Sequence, residues 1–208
     1  MAIIKAVCFD AGGVFVKEIR PLSVWEAEAR DAAKVFDVSL PSARKFFASE
    51  IVADLDRGKI SERDFWKKFA IENKRKMPSI ETLKTILRKR KVVPKESLLE
   101  IAKKLQENGV KVGVLTDVIL SHKEIYLHGK IFAGLSPVVM SCNEGIKKKD
   151  GPEIFRIWLD LAKAKPKETI FFDDARKNVE IAKSFGIKAF IYKGPKQVIA
   201  ILRRYDLI

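Results

Sequence analysis

Along this 208-residue chain, apolar and polar positions follow two different periods. Met1 to Phe9 (MAIIKAVCF) is a nearly continuous apolar run broken by Lys5, and it stops at Asp10-Ala-Gly-Gly, where two glycines permit a tight turn. That pattern predicts a buried strand followed by a loop, as parallel sheets require. Comparable runs stand at Val110 to Leu115, Pro137 to Met140, Thr169 to Phe172 and Ile187 to Tyr192, each separated from the next by an amphipathic stretch of helix length. Strands alternating with helices predict an α/β fold on a doubly wound, parallel, Rossmann-like sheet.

Between the first two runs the spacing is helical only, as in Val24, Ala27, Ala32, Val35, Phe36 and then Phe46, Phe47, Ile51, Leu55. Helix starts are marked at Ser23, Ser39 to Pro41, Ser61-Glu62 and Pro78-Ser79, and Gly58 closes one helix. The reading is an all-helical insertion of roughly four short helices over residues 17–95, set into an α/β core of residues 1–16 and 96–208. A helix from Pro94-Lys95-Glu96 to Asn108-Gly109 returns the chain to the sheet.

With 47% apolar residues, 13 Phe and 3 Trp, the chain can build a real core, and no apolar run reaches the length of a membrane span. No small-residue cleavage site follows Met1 to Val7, so a cytoplasmic protein is expected. The formal charge of +14 is spread evenly: residues 17–96 carry 20 basic and 13 acidic side chains, the remainder 21 and 14. A nucleic-acid footprint is more local than that, so no such partner is expected. Lys74-Arg75-Lys76 and Arg88-Lys89-Arg90-Lys91 read as solvated helix faces. Two Gln and four Asn among many Lys and Glu give the balance found in hyperthermophiles. Cys8 and Cys142 read as reduced core residues, and His122 and His128 as helix-surface residues.

In an open parallel sheet, ligands bind beyond the carboxyl ends of the strands. The residues there are Asp10, Thr116-Asp117 and Asp173-Asp174, with Lys147 to Lys149 after the strand that ends near Met140 to Cys142. Carboxylates brought together repel unless a cation neutralises them. Mg²⁺ is the simplest answer, since it takes carboxylate oxygens, keeps waters and completes its shell with phosphate oxygens. A lysine, a hydroxyl and the N–H groups of the Gly12-Gly13 loop would hold the remaining phosphoryl oxygens. Asp173-Asp174 equally suits the cap of a helix beginning near Ala175.

These residues resemble the four ordered motifs of the haloacid dehalogenase (HAD) superfamily. The likeness is carried by Phe9-Asp10-Ala-Gly-Gly-Val14, by Val114-Leu-Thr116-Asp117, by Lys149 ahead of Gly151-Pro-Glu-Ile-Phe155, and by Ile170-Phe-Phe-Asp173-Asp174 with Asn178 and Gly186. Leu55 to Trp66 (LDRGKISERDFW) is similar to a stretch common in the helical caps of that family. The resemblance implies a HAD-like core with a helical cap, and a phosphatase of small phosphorylated metabolites that works through an aspartyl-phosphate on Asp10. It further implies Mg²⁺ held by Asp10, the Gly12 carbonyl and Asp174, with Asp173 beside it. Thr116, the Asp117 N–H and the Gly12-Gly13 loop would bind the phosphoryl group, and Lys149 would offset its charge.

Counting forward from Gly145 favours Lys148 as the motif lysine; counting back from Pro152-Glu153 favours Lys149, which is preferred because the helix start is the better anchor. The family's second aspartate, two residues past the nucleophile, is Gly12 here. Its loss removes the general acid/base, a contribution of about 10² to 10⁴ in rate, and Glu18, Glu26, Glu28 and Asp31 of the cap are candidate replacements. Two alternatives follow. One is a catalytically impaired protein with a binding or regulatory role, and the other is a metal-free 2-haloacid dehalogenase-type hydrolase, against which Asp173-Asp174 argues.

Overall fold

In this computed structural model, residues 3–18, 24–87 and 92–208 are described. Five short strands form one parallel sheet: β1 (Ala6–Phe9), then β4 (Lys111–Thr116), β5 (Val138–Met140), β6 (Thr169–Asp173) and β7 (Lys188–Ile191), in the spatial order β5-β4-β1-β6-β7. Alternate side chains feed two separate cores, as the two-residue period of a strand requires. Val7, Phe9, Val112, Val114, Ile170 and Phe172 pack on one face; Ala6, Cys8, Leu115 and Phe171 pack on the other. Helices α6 (Glu96–Glu107) and α11 (Pro195–Arg203) cover the first face, and α9 (Glu153–Ala162) and α10 (Arg176–Ser184) the second. Phe9 stacks on Phe172 at 5.4 Å between ring centres, which locks β1 against β6 just below the sheet's carboxyl edge.

Of the strand forecast at residues 1–9, β1 takes Ala6–Phe9, and the Lys5 backbone continues the bonding to Glu168 and Lys111. Residues 17–95 are not wholly helical either. β2 (Val16–Glu18) and β3 (Val92–Pro94) pair antiparallel as a ribbon at the two ends of the insert, too short to show as an apolar run. Between them stand five helices among the described residues: α1 (Val24–Val35), α2 (Leu40–Phe47), α3 (Glu50–Asp56), α4 (Glu62–Glu72) and α5 (Ile80–Leu87). Ser39 and Ser61 cap α2 and α4 through their hydroxyls, as their positions in the sequence predict. The predicted start at Ser23 and the basic run Arg88 to Lys91 lie outside the described residues. Lys74 to Lys76 form an exposed loop after α4, not a helix face, because Asn73 ends the helix and Lys74 takes a positive φ. Among the described residues no helix is long and apolar enough to cross a membrane.

The insert has its own core, in which Phe36, Phe46, Phe65, Trp66 and Phe69 meet mostly edge to face. Ile119, from the loop between β4 and α7 (Leu120–His128), plugs into it. Polar contacts complete the docking. Arg57 makes a two-pronged pair with Asp150 at 2.6 and 2.7 Å, and the Ser141 hydroxyl, at the start of α8 (Ser141–Glu144), donates to the Asp56 carbonyl at 2.6 Å. Gly58, at φ +69°, sits so close to the Cys142 carbonyl that a Cβ there would lie 2.5 Å from it.

Phe69→Ala should therefore cost about 3–5 kcal/mol in chemical denaturation; a loss below about 1 kcal/mol would show that the insert's aromatic cluster is not a packed core. Hydrogen bonding to Arg57 holds the Asp150 carboxyl down to about 2. A depressed acid stabilises the fold above its ordinary value and loses that contribution as pH falls toward the folded value. Asp150→Asn should cost about 1 kcal/mol at neutral pH and flatten the stability loss between about pH 4 and pH 2; an unchanged acid limb would contradict this.

Candidate active site

Asp10 follows β1 directly, and Asp173 ends the neighbouring β6, so the parallel pairing of Phe9 with Phe172 sets the two carboxylates side by side. Asp173 is fully buried. Its Oδ1 accepts from the Ala175 N–H at 2.8 Å and its side chain from the Asn178 amide, so it fixes the start of α10 while facing the site. Asp174 lies beside it, and oxygens of Asp10, Asp173 and Asp174 all fall within 4.8 Å of one another. Gly13, at φ +72°, is where the Asp10 loop passes Asp174, with no room between them for a Cβ. At Gly12 a Cβ would meet nothing within 4 Å.

One ammonium lies inside this cluster, and it belongs to Lys148. Its Nζ donates to Asp10 Oδ1 at 2.5 Å and to Asp173 Oδ2 at 2.6 Å, with 2% of the side chain exposed. This corrects the preference for Lys149, which is partly exposed and lies 3.9 Å from Glu50 of the insert. The physical reason is a single 3₁₀ turn over Lys148–Asp150 followed by Gly151, which adds a residue between the lysine and α9. Asp117 Oδ1 accepts the Lys148 N–H at 3.1 Å and holds the turn in place.

Thr116 ends β4, buried, on the wall of a cavity of about 620 Å³ that also exposes Asp10, Gly12, Gly13, Asp117, Lys148, Asp173 and Asp174. Every residue predicted for the site except Lys149 thus faces one cavity. Of the four candidate acid/bases, Glu26 is tied to Arg30 and Arg44 away from the cavity, Glu28 and Asp31 do not line it, and the Glu18 side chain lies outside the description. Asp56 of α3 lines it instead, a residue within the cap-like stretch that sequence reasoning passed over. His122 is not a surface residue: it is 3% exposed, on the cavity wall, with Nε2 2.8 Å from Glu28 of α1. Cys8 is buried and free as expected, whereas Cys142 is only half-buried.

Burial pushes the Asp10 carboxyl up to about 8, against the lowering effect of Lys148 and with Asp173 and Asp174 raising it further. Burial raises Asp174 as well, with Asp173 adding to it. Lys148 resists the loss of its proton that burial favours, because Asp10, Asp173 and Asp117 hold it well above its ordinary value. Around the Lys148 ammonium, oxygens of three carboxylates lie within 4.8 Å of one another, while Lys17, Lys95 and Lys147 stand elsewhere on the cavity wall. The donor set of the cluster is all oxygen, which suits a hard divalent cation.

The sequence pattern of the haloacid dehalogenase-like hydrolase family matches residues 4–186. Among solved structures, a HAD family enzyme from Bacteroides thetaiotaomicron, in complex with magnesium and inorganic phosphate, superposes with a TM-score of 0.74 at 22% identity, over 91% of this chain and 94% of that one. The L-2-haloacid dehalogenase of Xanthobacter autotrophicus gives 0.60 at 14% identity, over 90% and 76%. At such identities the likeness speaks for the fold. A mouse protein, acyl-CoA dehydrogenase family member 10, is 40% identical over 62 residues, which make up 30% of this chain and 6% of the mouse protein.

Lys148→Ala leaves Asp10 and Asp173 buried without their cation and should cost about 3–5 kcal/mol in urea denaturation without divalent ions. Lys149→Ala should stay within about 0.5 kcal/mol. Equal costs would refute the assignment of the buried ammonium.

Proposed function

Because the chain belongs to the haloacid dehalogenase-like hydrolase family, we propose that it is a magnesium-dependent phosphatase of small phosphorylated compounds, with Asp10 as the nucleophile. The observation that carries this reading is Asp10 itself, held against the buried Lys148 ammonium at 2.5 Å and beside two further carboxylates at the wall of a cavity of about 620 Å³. Asp10, Asp174 and the Gly12 carbonyl would hold Mg²⁺, with Asp173 beside it. When bound, the ion supplies the positive charge that the acidic cluster lacks and neutralises phosphoryl oxygens.

The remaining steps belong to the chain. The Asp10 carboxylate attacks phosphorus, the bond to the leaving oxygen breaks with its electron pair, and water later hydrolyses the aspartyl-phosphate. Lys148 offsets the charge shared by Asp10 and the transferring group. The Thr116 hydroxyl and the Asp117 N–H would donate to phosphoryl oxygens. Asn178 and the Ala175 N–H keep Asp173 oriented toward the nucleophile. The insert covers the site and limits the entry of water, and the cavity has the size of a metabolite pocket. Attack on carbon, as in a dehalogenase, has no use for three converging carboxylates, and a protein kept only for binding has none for a nucleophile paired with a buried lysine.

Hydrolysis of p-nitrophenyl phosphate should require Mg²⁺ and fall by at least ~10³-fold in Asp10→Asn. Turnover indifferent to both would refute the phosphatase reading.

A further inference from the structure

An alkoxide leaving phosphorus needs a proton, and Gly12 has no side chain to give one. Departure is in line with attack, so the leaving oxygen points away from Asp10, toward the cavity wall opposite the nucleophile. Among the described residues, the helices of the insert contribute two side chains to the cavity, Trp25 and Asp56, and Asp56 is the one able to carry a proton. We propose that Asp56 stands in for the missing aspartate, as general acid in the first step and general base in the second, a role that rests on the phosphatase reading above.

Asp56 is 6% exposed and held in place from both ends. The Ser141 hydroxyl grips its backbone carbonyl, and the Lys147 ammonium pairs with Oδ2. Burial pushes it above its ordinary value despite Lys147, with Asp117 adding to the rise and His122 opposing it. The described candidates named from the sequence lack this placement. Glu28 is buried against His122 and does not line the cavity, Asp31 does not line it, and Glu26 is bound by two arginines. His122 lines the cavity from the core side, but its Nε2 is taken by Glu28.

In the first step the Asp10 oxygen bonds to phosphorus as the bond to the leaving oxygen breaks. That oxygen keeps the electron pair and takes the Asp56 proton, giving an alcohol and an Asp56 carboxylate stabilised by Lys147. In the second, the Asp56 carboxylate removes a proton from water, the water oxygen bonds to phosphorus, and the electron pair of the oxygen–phosphorus bond returns to the Asp10 carboxylate. Asp56 is then protonated again and phosphate leaves.

The test compares p-nitrophenyl phosphate, whose leaving group scarcely needs an acid, with phenyl phosphate, whose leaving group does. Turnover by the wild type that Asp10→Asn abolishes must come first; if the wild type turns over neither ester, the phosphatase reading and the role of Asp56 fall together. Given that turnover, Asp56→Asn should lower kcat/KM for phenyl phosphate about 10²-fold more than for p-nitrophenyl phosphate. The ratio of the two losses is read on one preparation and does not depend on how much of the variant folds. Equal losses on both esters would overturn the role of Asp56 while leaving the phosphatase reading intact. A selective loss in His122→Asn, with none in Asp56→Asn, would overturn it as well.

Discussion

The ammonium of Lys148 lies between the carboxylates of Asp10 and Asp173, 2.5 and 2.6 Å away, with almost none of its side chain in contact with solvent. A buried ion pair of this kind is a poor source of stability, because desolvation offsets most of its Coulomb attraction. Its presence is better understood as chemistry. The sheet places Asp10 and Asp173 side by side through the register of β1 and β6, and the turn after α8 brings the lysine to them. With Asp174 added, three carboxylates gather around this one ammonium. Burial, with Asp173 and Asp174 adding to it, holds the Asp10 carboxyl up at about 8 despite Lys148.

Much of this arrangement is legible in the sequence. Continuous apolar runs announce buried parallel strands, and the acidic residues that end those runs must then share one edge; Asp10, Thr116, Asp117, Asp173 and Asp174 all face one cavity for that reason. What sequence could not supply depends on side-chain direction. Lys148 and Lys149 are indistinguishable in a run of three lysines, and only the 3₁₀ turn decides which one points inward. His122 reads as a polar residue on a helix, and its burial depends on Glu28, 94 positions away in a different layer. Asp56 looks like one more charge at a helix end until the insert docks. The β2–β3 ribbon is missed because three-residue strands leave too little period to detect.

Residues 147–150 join the two parts of the molecule. Lys147 pairs with Asp56 of the insert, Lys148 with Asp10, Lys149 lies near Glu50 of the insert, and Asp150 binds Arg57. Three of these four residues thus reach for the insert, and Lys148 alone turns to the carboxylates at the sheet edge. On the phosphatase reading, a phosphoryl group that drew on Lys148 would act on the same short turn that anchors the insert.

Asp10 is proposed to carry the phosphoryl group, and peptide-level mass measurement after acid quenching tests that most directly. Protein turning over a phosphate ester with Mg²⁺ should yield a phosphoryl group on the peptide holding Asp10, and none in Asp10→Asn. Undiminished turnover with the group on another residue, or with no phosphorylated protein at all, would contradict it.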